Sequence, residues 1–208
     1  IKKLIHPNIL KLLEVSKNAP ILVYEFADGG SLDWQLSNGW KPGLRDIVLI
    51  GIQIGDALRY IHYSGYIHGD IKPSNIFIVN GVAKLGDFSS LVRLITMTSR
   101  HSGIAYTPGF RAPEQVFKDV RRRARELRLE NRMDVYMLGN TILYLLTGNS
   151  VDGEEVIDNP QIIDKVVREI KYPKLRSLIR RMLDPDPLNR PPSEEVVKEL
   201  LSIFNSIT

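Results

Sequence analysis

The 208-residue chain contains no cysteine, which excludes disulfide bridges and thiolate metal centres and leaves a reducing, cytoplasmic setting as the expectation. Long apolar runs are lacking as well. The hydrophobic stretches are broken by polar residues well short of the roughly 20 that a membrane helix needs, and no secretory leader is read. Internal repeats and low-complexity tracts are also absent. What remains is a chain long enough to bury a sizeable core, with a net charge of only +4.

The densest chemistry lies in His68-Gly69-Asp70-Ile71-Lys72-Pro73-Ser74-Asn75 and, after two short apolar runs, Gly86-Asp87-Phe88. Ile76–Val79 and Val82–Leu85 flank Asn80-Gly81, the dipeptide best suited to the two positive φ angles of a type I′ turn, so a hairpin is expected. Its mouth would hold Asn75 beside Asp87, while Asp70, Lys72 and Asn75 share one tight loop. Two carboxylates, an amide and an ammonium suit phosphoryl transfer, where catalysis consists mostly of positioning and charge neutralisation. Asp70 would accept the proton of an attacking hydroxyl. Lys72 would face the transferring phosphate, and Asn75 and Asp87 would offer hard oxygens to Mg²⁺. Each residue also has a plainer reading. Asp70 would cap a loop, Lys72 would be a solvated charge, Asn75 a turn amide and Asp87 a strand-end cap.

Periodicity places these motifs among helices. Ile47, Ile50, Ile54, Ala57, Leu58 and Ile61 recur at helical spacing and lead into Tyr66-Ile67-His68. Val135, Leu138, Ile142 and Leu145 predict a second helix ending near Gly148. Leu175, Leu178, Ile179 and Met182 predict a third, halted by Asp184-Pro185-Asp186-Pro187. The last helix is expected to start with Ser193 as N-cap and to turn Val196, Val197, Leu200, Leu201 and Phe204 to the core. Near the start of the chain, Leu10–Val15 and Ile21–Glu25 read as strands joined around Asn18-Ala19-Pro20.

Thr107-Pro108-Gly109-Phe110-Arg111-Ala112-Pro113-Glu114, Asp134-Val135-Tyr136-Met137-Leu138-Gly139 and Leu188-Asn189-Arg190-Pro191 complete a series with the loop at Asp70. In that order they resemble the eukaryotic-type protein kinases, and Lys72 two residues after Asp70 favours the serine/threonine branch. His-Gly-Asp with a downstream Asn also resembles small-molecule phosphotransferases, but the later motifs favour the protein kinases. The resemblance implies an α+β, mainly α fold: a kinase large lobe over residues 26–208, preceded by the last two strands of the small lobe within residues 1–25. It implies ATP with Mg²⁺ or Mn²⁺, a protein substrate, and no requirement for nucleic acid. Tyr24-Glu25-Phe26-Ala27-Asp28-Gly29-Gly30-Ser31 aligns with the family's hinge. Backbone groups of Glu25 and Ala27 would then bind adenine, Tyr24 would narrow the pocket, Ser31 would lie near the ribose and Phe77 would floor the base. Thr107 would sit beside the acceptor and help orient Asp70 and Lys72. His68 would be structural, stacked on Phe88, and Arg190 is expected to pair bidentately with Glu114.

The family's glycine-rich loop, strand lysine and helix glutamate are not found, so the sequence is expected to be a piece of a longer kinase and inactive alone. A pseudokinase or scaffold is the alternative. Isoleucine richness and few glutamines hint at an archaeal or bacterial member. Gly69 replaces the arginine usual before the aspartate, which implies that activity does not depend strongly on phosphorylating Thr96, Thr98, Ser99 or Ser102. Ser89 replaces the glycine usual after Asp87-Phe88, which restricts backbone flipping there. An apparent insertion before Asp134 carries Lys118, Arg121, Arg122, Arg123, Arg125, Arg128 and Arg132. It reads either as a solvated helix face, with Val116, Val120, Ala124 and Leu127 as its apolar stripe and Arg122–Glu126 as an ion pair, or as a site for an acidic or phosphorylated partner over Arg121–Arg132.

Overall fold

The computed structural model describes residues 4–16, 21–94 and 108–207. The fold is α+β and mainly helical. An antiparallel ribbon, β1 (Leu12–Val15) and β2 (Leu22–Tyr24), leads through α1 (Leu32–Ser37) into the long α2 (Leu44–Tyr63). The ribbon is shorter than the sequence suggests. Its register shifts between Leu12 and Glu14, and Leu10 instead donates its N–H to the Leu85 carbonyl at 2.8 Å. Chain 17–20, which holds the expected connection, lies outside the described residues.

Helix α2 buries Ile47, Val48, Ile50, Ile54, Ala57, Leu58 and Ile61, the face that its 3.6-residue period assembles. It packs on α5 (Arg132–Thr147) and α9 (Ser193–Ser206). Helix α5 is buried on nearly every side from Met133 to Leu143, as expected of the central element of a core, and it ends at Gly148 in the left-handed conformation. It also packs on α3 (Pro113–Val116) and α8 (Pro173–Met182), while α4 (Lys118–Glu126) and α6 (Gly153–Asp158) pack on α3, and α7 (Gln161–Val167) on α6 and α8. No helix among the described residues is long and apolar enough to cross a membrane.

Short strands carry the loops of interest. β3 (Tyr66–Ile67) pairs with β6 (Val92–Arg93), and β4 (Ile76–Val79) with β5 (Val82–Leu85), in register from Ile76↔Leu85 to Val79↔Val82. Asn80 and Gly81 have φ of 50° and 78°, the two positive angles of the expected I′ turn.

Three expectations about the helices are corrected. Ser193 is the first residue of α9 and Pro192 its cap; the Ser193 hydroxyl lies 3.1 Å from His62 Nδ1 instead. The buried stripe of α9 is Val196, Leu200 and Ile203, with Leu201 44% exposed, because 196, 200 and 203 follow the helical repeat and 201 is a quarter-turn away. Leu127 is exposed at the end of α4, so only Ala124 of that helix is fully buried.

Candidate active site

Helix α2 and β3 deliver the chain to His68, where backbone and side chains lock together. Asp134, in the first turn of α5 and without solvent exposure, accepts the His68 N–H on Oδ2 at 2.9 Å and the Gly69 N–H on Oδ1 at 2.8 Å. His62 Nε2 lies 2.8 Å from the same Oδ2. Burial alone would raise the pKa of Asp134, but the hydrogen bond and charge of His62 hold it below the usual carboxylate value. Gly69 has φ 80°, a left-handed conformation that glycine adopts without a Cβ penalty.

His68 is fully buried, with Nε2 3.0 Å from the Gly86 carbonyl and Nδ1 accepting the Asp70 N–H at 3.3 Å. These partners require a neutral ring with its proton on Nε2. Burial pushes its pKa down, against the opposing pull of Asp134. The ring meets Phe88 edge-on at 5.1 Å. This is a packed, spent imidazole, as the resemblance implies.

Asp70, Lys72 and Asn75 converge. Asp70 Oδ2 lies 2.8 Å from Lys72 Nζ and 2.9 Å from Asn75 Nδ2, which also donates to the Asp70 carbonyl at 2.8 Å. Asp70 and Asn75 are 8% and 5% exposed, so this is an organised loop floor, not a set of solvated side chains. The Gly86 N–H donates to the Asn75 carbonyl at 2.9 Å and closes the hairpin mouth. Asp87 follows, exposed, at φ 51° and ψ 77°. Its Oδ1 accepts the Ser89 N–H at 3.2 Å.

The donor set fits a divalent cation shared with a nucleotide. Asn75 Oδ1 takes no part in the amide's bonds to Asp70, and the exposed Asp87 carboxylate adds hard oxygens. No group of three or more His, Cys, Asp or Glu side chains among the described residues could hold a metal. Two ligands suit Mg²⁺, which keeps waters and completes its shell with phosphate oxygens.

The segment expected to form the hinge is one piece with the hairpin. Gly29 N–H donates to the Ile78 carbonyl, and Ile78 N–H to that of Gly30, at 3.1 and 2.9 Å. Ser31 pairs with Phe77 in an antiparallel bridge. The Phe77 ring lies against Gly86, where an added Cβ would come within 2.7 Å of it. Ser31 also caps α1, accepting the Trp34 N–H at 3.1 Å. Glu25 turns its carboxylate to Lys84 and to the Lys11 N–H, each at 2.8 Å, and its own N–H donates to the Lys11 carbonyl at 2.9 Å. The Ala27 carbonyl is taken by the Gly30 N–H. Burial raises the pKa of the Tyr24 phenol, and the Asp87 carboxylate adds to the shift.

The segment from Gly109 to Glu114 is anchored to the core. Asn140 of α5 donates to the Gly109 carbonyl at 2.9 Å, and Asp152 accepts the Gly109 N–H at 2.8 Å. Arg111 pairs with Asp152 at 2.7 Å. Thr107 and the four candidate phosphorylation positions lie outside the described residues. Glu114 and Arg190, both fully buried, meet through one contact, Arg190 Nη1 to Glu114 Oε1 at 2.6 Å. The expected bidentate pair is not formed, because Arg190 spends its other nitrogens on the carbonyls of Asp184 and Pro185.

A sequence model of the family described as protein kinase domain matches residues 1–201. The chain belongs to this family. Among curated proteins, the kinase domain is similar to serine/threonine-protein kinase ssp1 of Schizosaccharomyces pombe, at 29% identity over 91% of this chain and 31% of that protein. It is similar to the Wee1-like protein kinase of Arabidopsis thaliana, at 30% identity over 76% of this chain and 30% of that protein. It is also similar to serine/threonine-protein kinase PknG of Mycolicibacterium smegmatis, at 28% identity over 97% of this chain and 25% of that protein. The chain thus spans about a third or less of these relatives' length. Protein kinases use ATP with a divalent metal ion.

Four residues of the kinase domain's site escape a motif reading. They are Asp134 as the anchor of the loop backbone, His62 behind it, Asn140 under Gly109, and Gln115, which reaches both Ala112 and Gly69. Asp134 opens a motif already read as a helix start, though not as this anchor, and Gln115 carries a local signal, a Gln three residues after a helix cap.

Proposed function

We propose that, within its complete protein, this kinase domain transfers the γ-phosphoryl group of ATP to serine or threonine hydroxyls of protein substrates. The observation that carries the reading is the convergence of Asp70, Lys72 and Asn75 at the mouth of the hairpin that leads to Asp87. Asp70 accepts a hydrogen bond from the acceptor hydroxyl and takes its proton as the new O–P bond forms and the β–γ bridging bond breaks. Lys72 moves from Asp70 toward the transferring group, and Thr107 flanks the acceptor.

Asn75 and Asp87 would hold Mg²⁺ or Mn²⁺, which supplies neutralisation of phosphate charge. Adenine would lie on Phe77, against backbone groups of Glu25 and Ala27, with Tyr24 behind it and Ser31 toward the ribose. The Ala27 N–H is the better-placed partner, since its carbonyl already accepts from Gly30. Residues 1–25 would close the site as part of the small lobe and 26–208 would form its floor. A cytoplasmic location supplies the ATP. Intact Asp70, Lys72, Asn75 and Asp87 favour turnover over a scaffold role.

The test is phosphate transfer from labelled ATP to a protein substrate by the full-length protein and by Asp70→Asn and Asp87→Asn variants. Each substitution should lower kcat by about 100-fold or more while the fold is retained. Wild-type turnover by Asp70→Asn, or no transfer by the unaltered protein, would overturn the reading.

A further inference from the structure

We infer that Gln115 is a positioning residue: its side-chain amide latches the acceptor-side helix α3 to the peptide group that immediately precedes Asp70. Gln115 is 6% exposed and is the third residue of α3. Its Oε1 accepts the Ala112 N–H at 2.9 Å, and its Nε2 donates to the Gly69 carbonyl at 2.8 Å. The amide orientation follows from the partners, since the reverse would set nitrogen against N–H and oxygen against a carbonyl.

Gly69 is thereby held on both sides. Its N–H goes to Asp134 of α5 and its carbonyl to Gln115 of α3, at the one loop position where φ is 80° and the residue has no side chain of its own to fix it. The carbonyl of Gly69 and the N–H of Asp70 belong to one planar peptide group. That N–H rests on His68 Nδ1, so Gln115 and His68 fix the peptide plane from which the Asp70 side chain projects, while Asp134 holds the peptide group before it. The latch has its own support. Arg121 of α4 donates from Nε to the Glu114 carbonyl and from Nη2 to the Gln115 carbonyl, both at 2.7 Å, capping the last carbonyls of a one-turn helix that could not hold itself. A side-chain chain of contact therefore runs from α4 through α3 to Asp70 and needs no phosphate.

The inference rests on the proposed phosphoryl transfer only for its rate measurements; amide exchange tests it independently. Q115E in the full-length protein is the sharpest variant. It keeps shape, volume and the acceptor for Ala112 N–H, but places an oxygen against the Gly69 carbonyl. We expect kcat to fall about tenfold with KM for ATP unchanged, and hydrogen–deuterium exchange of the Gly69 and Asp70 amides to quicken about tenfold, while α5 amides keep their protection. Should the buried carboxylate of Q115E prevent folding, Q115A carries the same readings. Unchanged exchange at 69–70 in a folded variant overturns the latch whatever happens to kcat, and wild-type kcat with faster exchange overturns its positioning role. Faster exchange in a protein that transfers no phosphate even unaltered would sink the proposed function and leave the latch standing.

Discussion

Arg190 is the largest fully buried side chain described, and its charge is matched by a carboxylate through a single hydrogen bond. Its remaining donors go to the carbonyls of Arg132, Asp184 and Pro185, and its guanidinium lies 5.0 Å from the Tyr136 ring centroid. Glu114 Oε2 has no hydrogen-bond partner. A buried pair of this kind is held less by its mutual attraction than by the penalty of leaving either charge alone. Arg190→Met should therefore cost about 3–5 kcal/mol. The double variant Arg190→Met, Glu114→Leu should be more stable than Arg190→Met alone, despite carrying one more change. Urea unfolding of the three proteins decides the point, and a double variant less stable than the single one would reverse this account. The pair itself was legible from two distant motifs. Its geometry was not, because the competing acceptors are loop carbonyls that acquire their positions only in the folded chain.

The helix α4 gathers most of the chain's excess positive charge, and its arginines divide into two kinds. Arg121 is built into the fold as the cap of α3, and Arg123 reaches Asp186 at 2.8 Å. Arg122 pairs with Asp119 rather than with the expected Glu126, the i,i+3 neighbour in place of the i,i+4 one. Lys118, Arg122, Arg123 and Arg128 are exposed, and Arg123 is held across to Asp186, so Lys118, Arg122 and Arg128 are the residues that test the reading of this segment as a site for acidic or phosphorylated partners. Arg121→Ala should destabilise the domain by about 1–3 kcal/mol, since two carbonyls lose a charged donor. Charge reversal at Lys118, Arg122 and Arg128 should leave the urea midpoint unchanged and, if a partner uses this face, raise KM selectively for an acidic protein substrate. Equal loss of stability from both sets would mean that the division is wrong. Sequence reading recognised the element and its charge because periodicity and composition are local. It could not separate the capping arginine from its neighbours, since that role depends on where the end of α3 lies. The hairpin, by contrast, was read almost residue for residue, because Asn80-Gly81 fixes its register locally.

Taken over the whole molecule, the interior near the catalytic loop is set for neutral pH. His68 is fully buried and its pKa is depressed by that burial. In the unfolded chain a histidine titrates near 6.5. Below that pH the unfolded state binds a proton that the folded state refuses, so the contribution of His68 to stability is complete above about pH 6.5 and is lost as pH falls toward its lower folded value. The limiting slope is about 1.4 kcal/mol per pH unit. Asp134 and Asp152 also have depressed pKa values. As acids they act in a lower window: their contribution is present above the ordinary value of 3.8 and is lost only below it. Between those limits the depressed pKa of His68 tilts the stability curve. Its replacement by Gln, which can still donate to the Gly86 carbonyl, should flatten that curve below about pH 6.5. The check is a series of urea midpoints at half-unit pH steps for both proteins. Parallel curves would show that His68 accepts its proton without unfolding, contrary to the spent, neutral imidazole that its two hydrogen bonds require.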